Sequence, residues 1–431
     1  MAGLKRRAST ADADWVRKRV RENAPWALMA GAGTAVMAWL GLYGFGWNDY
    51  ENEALPAVDA LVHGHLSAFF QLAPVYGGSL LERAPFALAP GLWGGGELAV
   101  YRMLALPCLL AAGALGLWLI ARMRSRGSGT LAQALALGLC VFNPLTLAAL
   151  ELGHPEELLG AALCVAAVLL AAGQRPVWAG LVLGAAVADK EWALLAVGPL
   201  LVALPARRLL CLSIAGAVSV ALLAPFALVG PSAFTTGLRG AASPSSAIFQ
   251  PWQIWWFLGH HGGVVRGLLG AVKPGYRTAP GWIGPISHPL ILALAIPLAI
   301  PVWLRRRGRS GALLLLALLL LERCVLDTWD NVYYPLPFVL ALLAWEVLEF
   351  RRPPILALSS AVAVWAGCRW LPSFASADAQ AAFFLAWSVP LAAGLALALY
   401  APGKLVRLRH RAGSRHDDGR LAWAANEAPS T

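Results

Sequence analysis

WALMAGAGTAVMAWLGLYGFGWNDYENE, residues 26–53, joins an apolar run to three carboxylates, Asp49, Glu51 and Glu53. A helix crossing a bilayer core of about 30 Å needs roughly 20 apolar residues, and the run before Trp47 has that length. Acids are scarce in the chain, 23 in 431 residues. Three of them clustered just past a membrane-length run point to use at a membrane surface.

The composition agrees. Hydrophobic residues make up 59% of the chain and charged residues 13%, with a mean hydropathy of +0.63. Soluble domains carry about 25% charged residues, so the chain reads as an all-α polytopic membrane protein. The net charge of +11 does not imply nucleic acid, because the basic residues sit in short clusters between apolar runs. That is the positive-inside pattern, with membrane lipids as the partner. No soluble domain is left to carry a basic groove. Cys108, Cys140, Cys164, Cys211, Cys324 and Cys368 fall in or beside apolar runs without paired spacing. They read as small buried hydrophobes. No cleavable signal is evident, since the first run lacks a small-x-small site and many more runs follow.

Apolar runs of suitable length give about 12 transmembrane helices, near 26–45, 100–121, 130–148, 156–172, 177–189, 191–205, 209–229, 288–304, 311–327, 335–349, 354–371 and 381–400. Most of the 34 Lys and Arg then fall on one side: the N-terminal cluster, Arg122/Arg124/Arg126, Arg175, Arg207/Arg208, Arg305/Arg306/Arg307/Arg309, Arg351/Arg352 and the tail. Both termini are therefore expected in the cytoplasm and the opening acids outside. The domain reading is a basic N-terminus over 1–25, one transmembrane domain over 26–400, and a basic tail over 401–431 expected to be disordered. Between Arg175 and Arg207 there is too little chain for two ordinary crossings. Two short helices meeting at Asp189-Lys190-Glu191 resolve this and put the charges at a depth where they must face water or one another. Two long outer segments, about 46–99 and 230–288, alternate Gly/Pro breaks with amphipathic pieces such as 57–72, and are expected to form short helices on the outer leaflet.

Sorted by side, the outer polar residues are rich in functional types: Asp49, Glu51 and Arg83; Glu151, His154, Glu156 and Glu157; Asp189 and Lys190; Asp327, Trp329, Asp330 and Tyr333. An outer-face site is the natural inference. Each group also has a plainer reading. Asp49 and Glu51 could be solvated at a helix end, and Asp189-Lys190-Glu191 a self-neutralised kink. His154 could cap a helix whose first turn holds Glu156 and Glu157, acids that suit the dipole. Trp329 and Tyr333 could belong to an aromatic belt. No ligand spacing of a structural zinc site or calcium loop occurs, so no metal and no cofactor is expected, a loosely bridged divalent ion aside.

Leu152-Gly153-His154-Pro155-Glu156-Glu157-Leu158-Leu159, then Gln174-Arg175-Pro176, then Ala179-Gly180-Leu181-Val182-Leu183-Gly184 and Ala188-Asp189-Lys190 follow one another as in a known group. In this order of features the chain resembles the GT-C superfamily of membrane glycosyltransferases. Within it, the chain resembles the bacterial polyprenol-phosphate-mannose-dependent group that includes phosphatidylinositol-mannoside mannosyltransferases. The resemblance covers roughly 26–350; its motifs are short, and their order along the chain carries it. His154 stands where Gln is commoner, and a Tyr usual after the first-loop acid is missing.

The resemblance implies a GT-C-like fold in the bacterial cytoplasmic membrane, with the site on the outer face. It implies a polyprenyl-phosphate sugar donor, mannose by family average, and a lipid or glycan acceptor. Asp49 would be the general base, with Glu51 a supporting acid. Lys190, Arg239 and Arg83 would meet the donor phosphate, where charge develops. His154, Glu156, Glu157, Trp329, Asp330 and Tyr333 would hold sugar or acceptor. Phosphate leaves without a second, acid-acting carboxylate, unlike glycosidase chemistry. The competing class is a transporter or flippase, which would show two inverted halves with broken helices in each. Only one broken pair is visible.

Overall fold

Apolar segments in lipid must satisfy their own backbone hydrogen bonds, which favours helices, and the described residues form helices with no strands. The computed structural model describes residues 2–43, 49–243, 249–262, 273–305 and 308–402. Trp47 and Asn48 of the opening stretch, Arg266, Arg306, Arg307 and the basic tail beyond 402 lie outside the described residues.

Helix α1 (Ala2–Gly41) carries the polar N-terminal segment and most of the first apolar run through Pro25 without interruption. The first long segment starts with a turn of π-helix at Tyr50–Ala54. It continues in α2 (Leu55–Val62), α3 (Leu66–Leu72) and α4 (Gly77–Leu88). The amphipathic piece expected over 57–72 is thus two helices, broken at His63-Gly64-His65.

Helix α5 (Glu97–Arg124) runs back antiparallel to α1. Arg124 holds Glu22 and Asn23 at one end, and Arg102 donates to the Leu42 and Tyr43 carbonyls at the other. Helices α6 (Thr130–Val141) and α7 (Pro144–Glu151) form nearly one rod. Asn143 caps the second piece by accepting from the Leu145 amide at 3.0 Å.

The chain continues through α8 (Glu156–Ala172), α9 (Pro176–Asp189), a 3-10 turn at Glu191–Ala196, α10 (Val197–Ala203), α11 (Arg208–Val229) and α12 (Pro231–Ala242). The expected meeting of two short helices at Asp189-Lys190-Glu191 is therefore present. The last group is α13 (Ile283–Leu304), α14 (Gly308–Leu326), α15 (Leu336–Glu349), α16 (Ile355–Trp365) and α17 (Ala377–Tyr400).

Among the described residues, 6 helical stretches are long and apolar enough to cross a membrane: α5, α6–α7, α11, α13, α16 with the turns that follow it, and α17. The expectation of about 12 spans is not matched at that standard. The remaining runs gave helices that are short, such as α9 and α15, or interrupted by charge, such as α14 with Arg309, Glu322 and Arg323.

Three of the helices outside that set of 6 are the most buried. Helices α8, α14 and α15 are covered nearly all round, whereas α11, α13 and α17 expose apolar outer faces. Lipid drives helices together only weakly, so close packing matters. Gly180 and Gly184 on α9 provide it: a Cβ there would come within 2.5 Å of the Cys211 carbonyl oxygen and 2.6 Å of that of Ala215 on α11. The second long segment packs Phe249 and Trp256 on Ile283 and on Ala377 and Ala381 at the start of α17. Arg277 clamps it there with two 2.9 Å bonds to Asp378.

Candidate functional site

Helix α7 ends in the turn Leu152-Gly153, and Gly153 adopts φ +88. A Cβ at Gly153 would lie 2.6 Å from the backbone nitrogen of Tyr50, so this turn rests directly on the π-helical turn of the first long segment. That approach sets Asp49 against His154: Nε2 of the imidazole is 3.3 Å from Asp49 Oδ2. Its Nδ1 is 2.7 Å from Glu156 Oε1. His154 does not act as the helix cap. Pro155 takes that position without a side-chain cap bond, and the imidazole lies between two carboxylates instead. Burial disfavours the imidazolium, but Glu156 and Asp49 outweigh it and raise the His154 pKa to about 9.

Glu156 is the hub of a buried network. Lys190 Nζ lies 3.2 Å from its Oε1 and Arg83 3.4 Å from its Oε2. Lys190 also reaches Glu157 Oε1 at 3.4 Å. The Trp192 indole donates to that same oxygen at 3.3 Å, and Arg323 stands 4.0 Å from Glu157 Oε2. The break after α9 makes this possible: Lys190 has an extended backbone, φ -149 and ψ 134, between two helical pieces. Its ammonium sits 4.1 Å from the centroid of the Tyr76 ring, and Tyr76 donates to Glu53 at 2.8 Å. The Tyr333 ring centroid is 4.9 Å from that of His154. Helix α4 docks through Ser79, which donates to Asp189, and through Arg83. The buried carboxylates of Glu156 and Glu157 and the part-buried one of Asp49 are thus answered by His154, Lys190, Arg83 and Arg323, as burial of charge requires; Glu53 is exposed.

Beside the network runs an apolar groove. Two cavities, about 540 Å³ and 360 Å³, share Leu194, Leu195 and Leu292. The larger lies between α10 and α13 and ends near Arg208, whose guanidinium is 5.3 Å from the Trp303 ring centroid. The smaller passes α12 and reaches Trp192, His288, Arg323, Asp327 and Tyr334. His288 Nε2 lies 3.2 Å from Asp327 Oδ1. Glu157, in contact with both Lys190 and Arg323, separates this polar end from the Asp49 cluster.

Of the residues singled out from sequence, Asp49, His154, Glu156, Glu157, Lys190, Arg83 and Tyr333 converge. Glu51 is exposed on the π-helical turn. Arg239 is exposed in the last turn of α12, next to Leu238, which lines the groove. Trp329 is half-buried, its amide held by Asp327 at 2.9 Å. Asp330 is buried within electrostatic reach of Asp327 and Arg323, at the polar end of the groove, and of Glu157. Sequence reasoning passed over Tyr76, Trp192, His288 and Arg323. Arg323 carried the one usable signal, a cation embedded in an apolar run. Asp49, Glu53 and His154 each offer an atom within 4.8 Å of the others, a spacing a metal ion could use. In the arrangement present, His154 is paired through both nitrogens, which fits an imidazolium better than a ligand.

The model of glycosyltransferase family 87 matches residues 74–326, more than half of the chain. The chain therefore belongs to that family and is a membrane glycosyltransferase. The match contains Arg83, His154, Glu156, Glu157, Lys190 and Arg323; Asp49 and Tyr333 lie outside it. Comparison with curated proteins and with solved structures gives no match.

Proposed function

We propose, from the premise of a family 87 glycosyltransferase, that the protein moves a sugar from a polyprenyl-phosphate donor to a lipid or glycan hydroxyl, with Asp49 as general base. The observation that carries the donor class is the lateral groove. It is apolar along α10 and α13, as an isoprenoid chain requires, and ends at the buried cation Arg323 beside the Asp49 cluster. Mannose is the expected sugar from the sequence resemblance.

In this reading the donor phosphate meets Arg323 and His288, with Arg239 at the groove rim. Lys190 divides its charge between Glu156 and Glu157 and, with Arg83, holds the frame. The acceptor hydroxyl gives its proton to an oxygen of Asp49 while its oxygen bonds to the anomeric carbon. The bond from that carbon to the phosphate oxygen breaks, and the electron pair leaves on the phosphate. Cationic groups placed before the reaction lower its barrier where this charge develops. Tyr76, Tyr333 and Trp329 supply ring faces for sugar or acceptor.

The site is assigned to the outer face of a bacterial cytoplasmic membrane. Arg122 and Arg309 converge on Gly173 at the opposite ends of α5 and α14, which suits the positive-inside rule.

The test is reconstitution in lipid nanodiscs with synthetic polyprenyl-phosphate mannose and a membrane-lipid extract as acceptor. Wild type should form a mannosylated product, and Asp49→Asn should lose on the order of 10²–10⁴-fold in rate. Undiminished transfer by Asp49→Asn would remove Asp49 as base. Transfer only from a nucleotide sugar would remove the donor assignment.

A further inference from the structure

We infer that His154 is a positioning residue for the base: held by Glu156, its imidazolium clamps one oxygen of Asp49 and aims the other at the acceptor hydroxyl. The inference rests on the reading of Asp49 as base and adds a role that the resemblance, which put His154 against the sugar, does not contain.

The geometry is that of a ring gripped from both sides. Glu156 Oε1 takes Nδ1 at 2.7 Å, and Asp49 Oδ2 faces Nε2 at 3.3 Å. With one ring proton only, one of the two carboxylates would face a nitrogen lone pair, a repulsive contact inside a buried site. With both protons the two contacts are charge-assisted donations. The ring cannot drift, because the Tyr333 and Tyr76 rings stand 4.9 and 5.8 Å from it, centroid to centroid. Glu156 cannot drift either, being tied to Lys190 and Arg83. Asp49 stands just before the short π-helical turn, makes no side-chain cap bond to it and has a side chain 17% exposed, so its own segment does little to fix it. The clamp transfers the rigidity of α8 to a loop acid, and misplacement of a reacting group by about 1 Å can cost on the order of 10²-fold in rate.

The groups facing His154 are Asp49 and Glu53 from the first segment, Tyr76 from the start of α4, Glu156 from α8, Lys190 from the break after α9, and Tyr333 from the turn before α15. Acids dominate, consistent with a pKa of about 9. A group with a raised pKa keeps its proton below that value and loses it as pH rises through it. The clamp should hold at neutral pH and open in the alkaline range.

The experiment is the pH dependence of kcat for mannose transfer in nanodiscs, measured for wild type, His154→Gln, Glu156→Gln and Asp49→Asn. Wild-type kcat should fall near pH 9. His154→Gln, whose amide donates without titrating, should lose about ten- to a hundredfold in kcat with donor KM changed less than about twofold, and lack that limb. Glu156→Gln should move the limb to lower pH. A His154→Gln enzyme with wild-type kcat and the same alkaline limb would overturn the clamp, as would a wild-type profile flat from pH 8 to 10. If His154→Gln does not accumulate, the wild-type and Glu156→Gln profiles decide, a limb unmoved by Glu156→Gln counting against the clamp. Full activity of Asp49→Asn would instead strike the base assignment, whatever His154 does.

Discussion

The backbone nitrogen of Tyr50 stands 2.6 Å from where a Cβ on Gly153 would be. Two segments far apart in sequence are thus packed with no room for a methyl group, and the contact sets the distance between Asp49 and His154. Gly153→Ala adds left-handed backbone strain to that overlap. It should destabilise the protein by about 2–4 kcal/mol and reduce sugar transfer beyond what stability explains. Thermal unfolding in detergent and a transfer assay on the folded fraction check both. An unchanged midpoint and rate would show that the turn yields freely.

Lys190 answers both Glu156 and Glu157. Lys190→Met leaves two buried carboxylates short of a partner, an effect of about 3–5 kcal/mol for a broken buried pair. Lys190→Met combined with Glu157→Gln should recover part of the loss, with a coupling of about 1–3 kcal/mol. Chemical denaturation of the single and double variants measures it, and strict additivity would argue against a shared network.

Ile296 lines the larger cavity midway along the groove and is 65% exposed. Ile296→Trp should therefore be tolerated by the fold, yet narrow the path for an isoprenoid chain. The expected result is a donor KM raised about tenfold for a long polyprenyl chain and much less for a two- or three-isoprene analogue, worth about 1.4 kcal/mol. Equal effects on both donors would mean that the chain lies elsewhere.

Arg277 and Asp378 fasten the second long segment to the start of α17. Asp378 is 43% exposed, so the pair should contribute only about 0.5–1 kcal/mol despite its two-pronged geometry. Asp378→Asn should leave the unfolding midpoint nearly unchanged and speed proteolysis within 249–280. Faster cleavage elsewhere instead would place the weak point in another segment.

The membrane class was legible because hydropathy and charge act through composition and short windows, which a reader of one chain can sum. The break at Asp189-Lys190-Glu191 was legible for a similar reason, since two basic loops stood too close for two full crossings. The span count was less secure. Apolar runs such as 335–349 give helices too short to cross, because α15 lies inside the bundle and is covered by protein rather than measured against lipid. The family is carried by residues 74–326, whereas the acid proposed as base precedes them.

The sequence by itself determined which residues were out of place in an apolar chain: Asp49, His154, Glu156, Glu157, Lys190. A charge that must avoid hydrocarbon announces itself without coordinates. It did not determine which charge meets which. Arg83 reaches Glu156 from α4, Arg323 reaches Glu157 from α14, and the imidazole of His154 turns toward Asp49 instead of capping α8. Those pairings depend on a glycine turn lying against the Tyr50 backbone, on glycines seating α9 on α11, and on one extended residue between two short helices. They are contacts across the chain, and only the folded arrangement decides them.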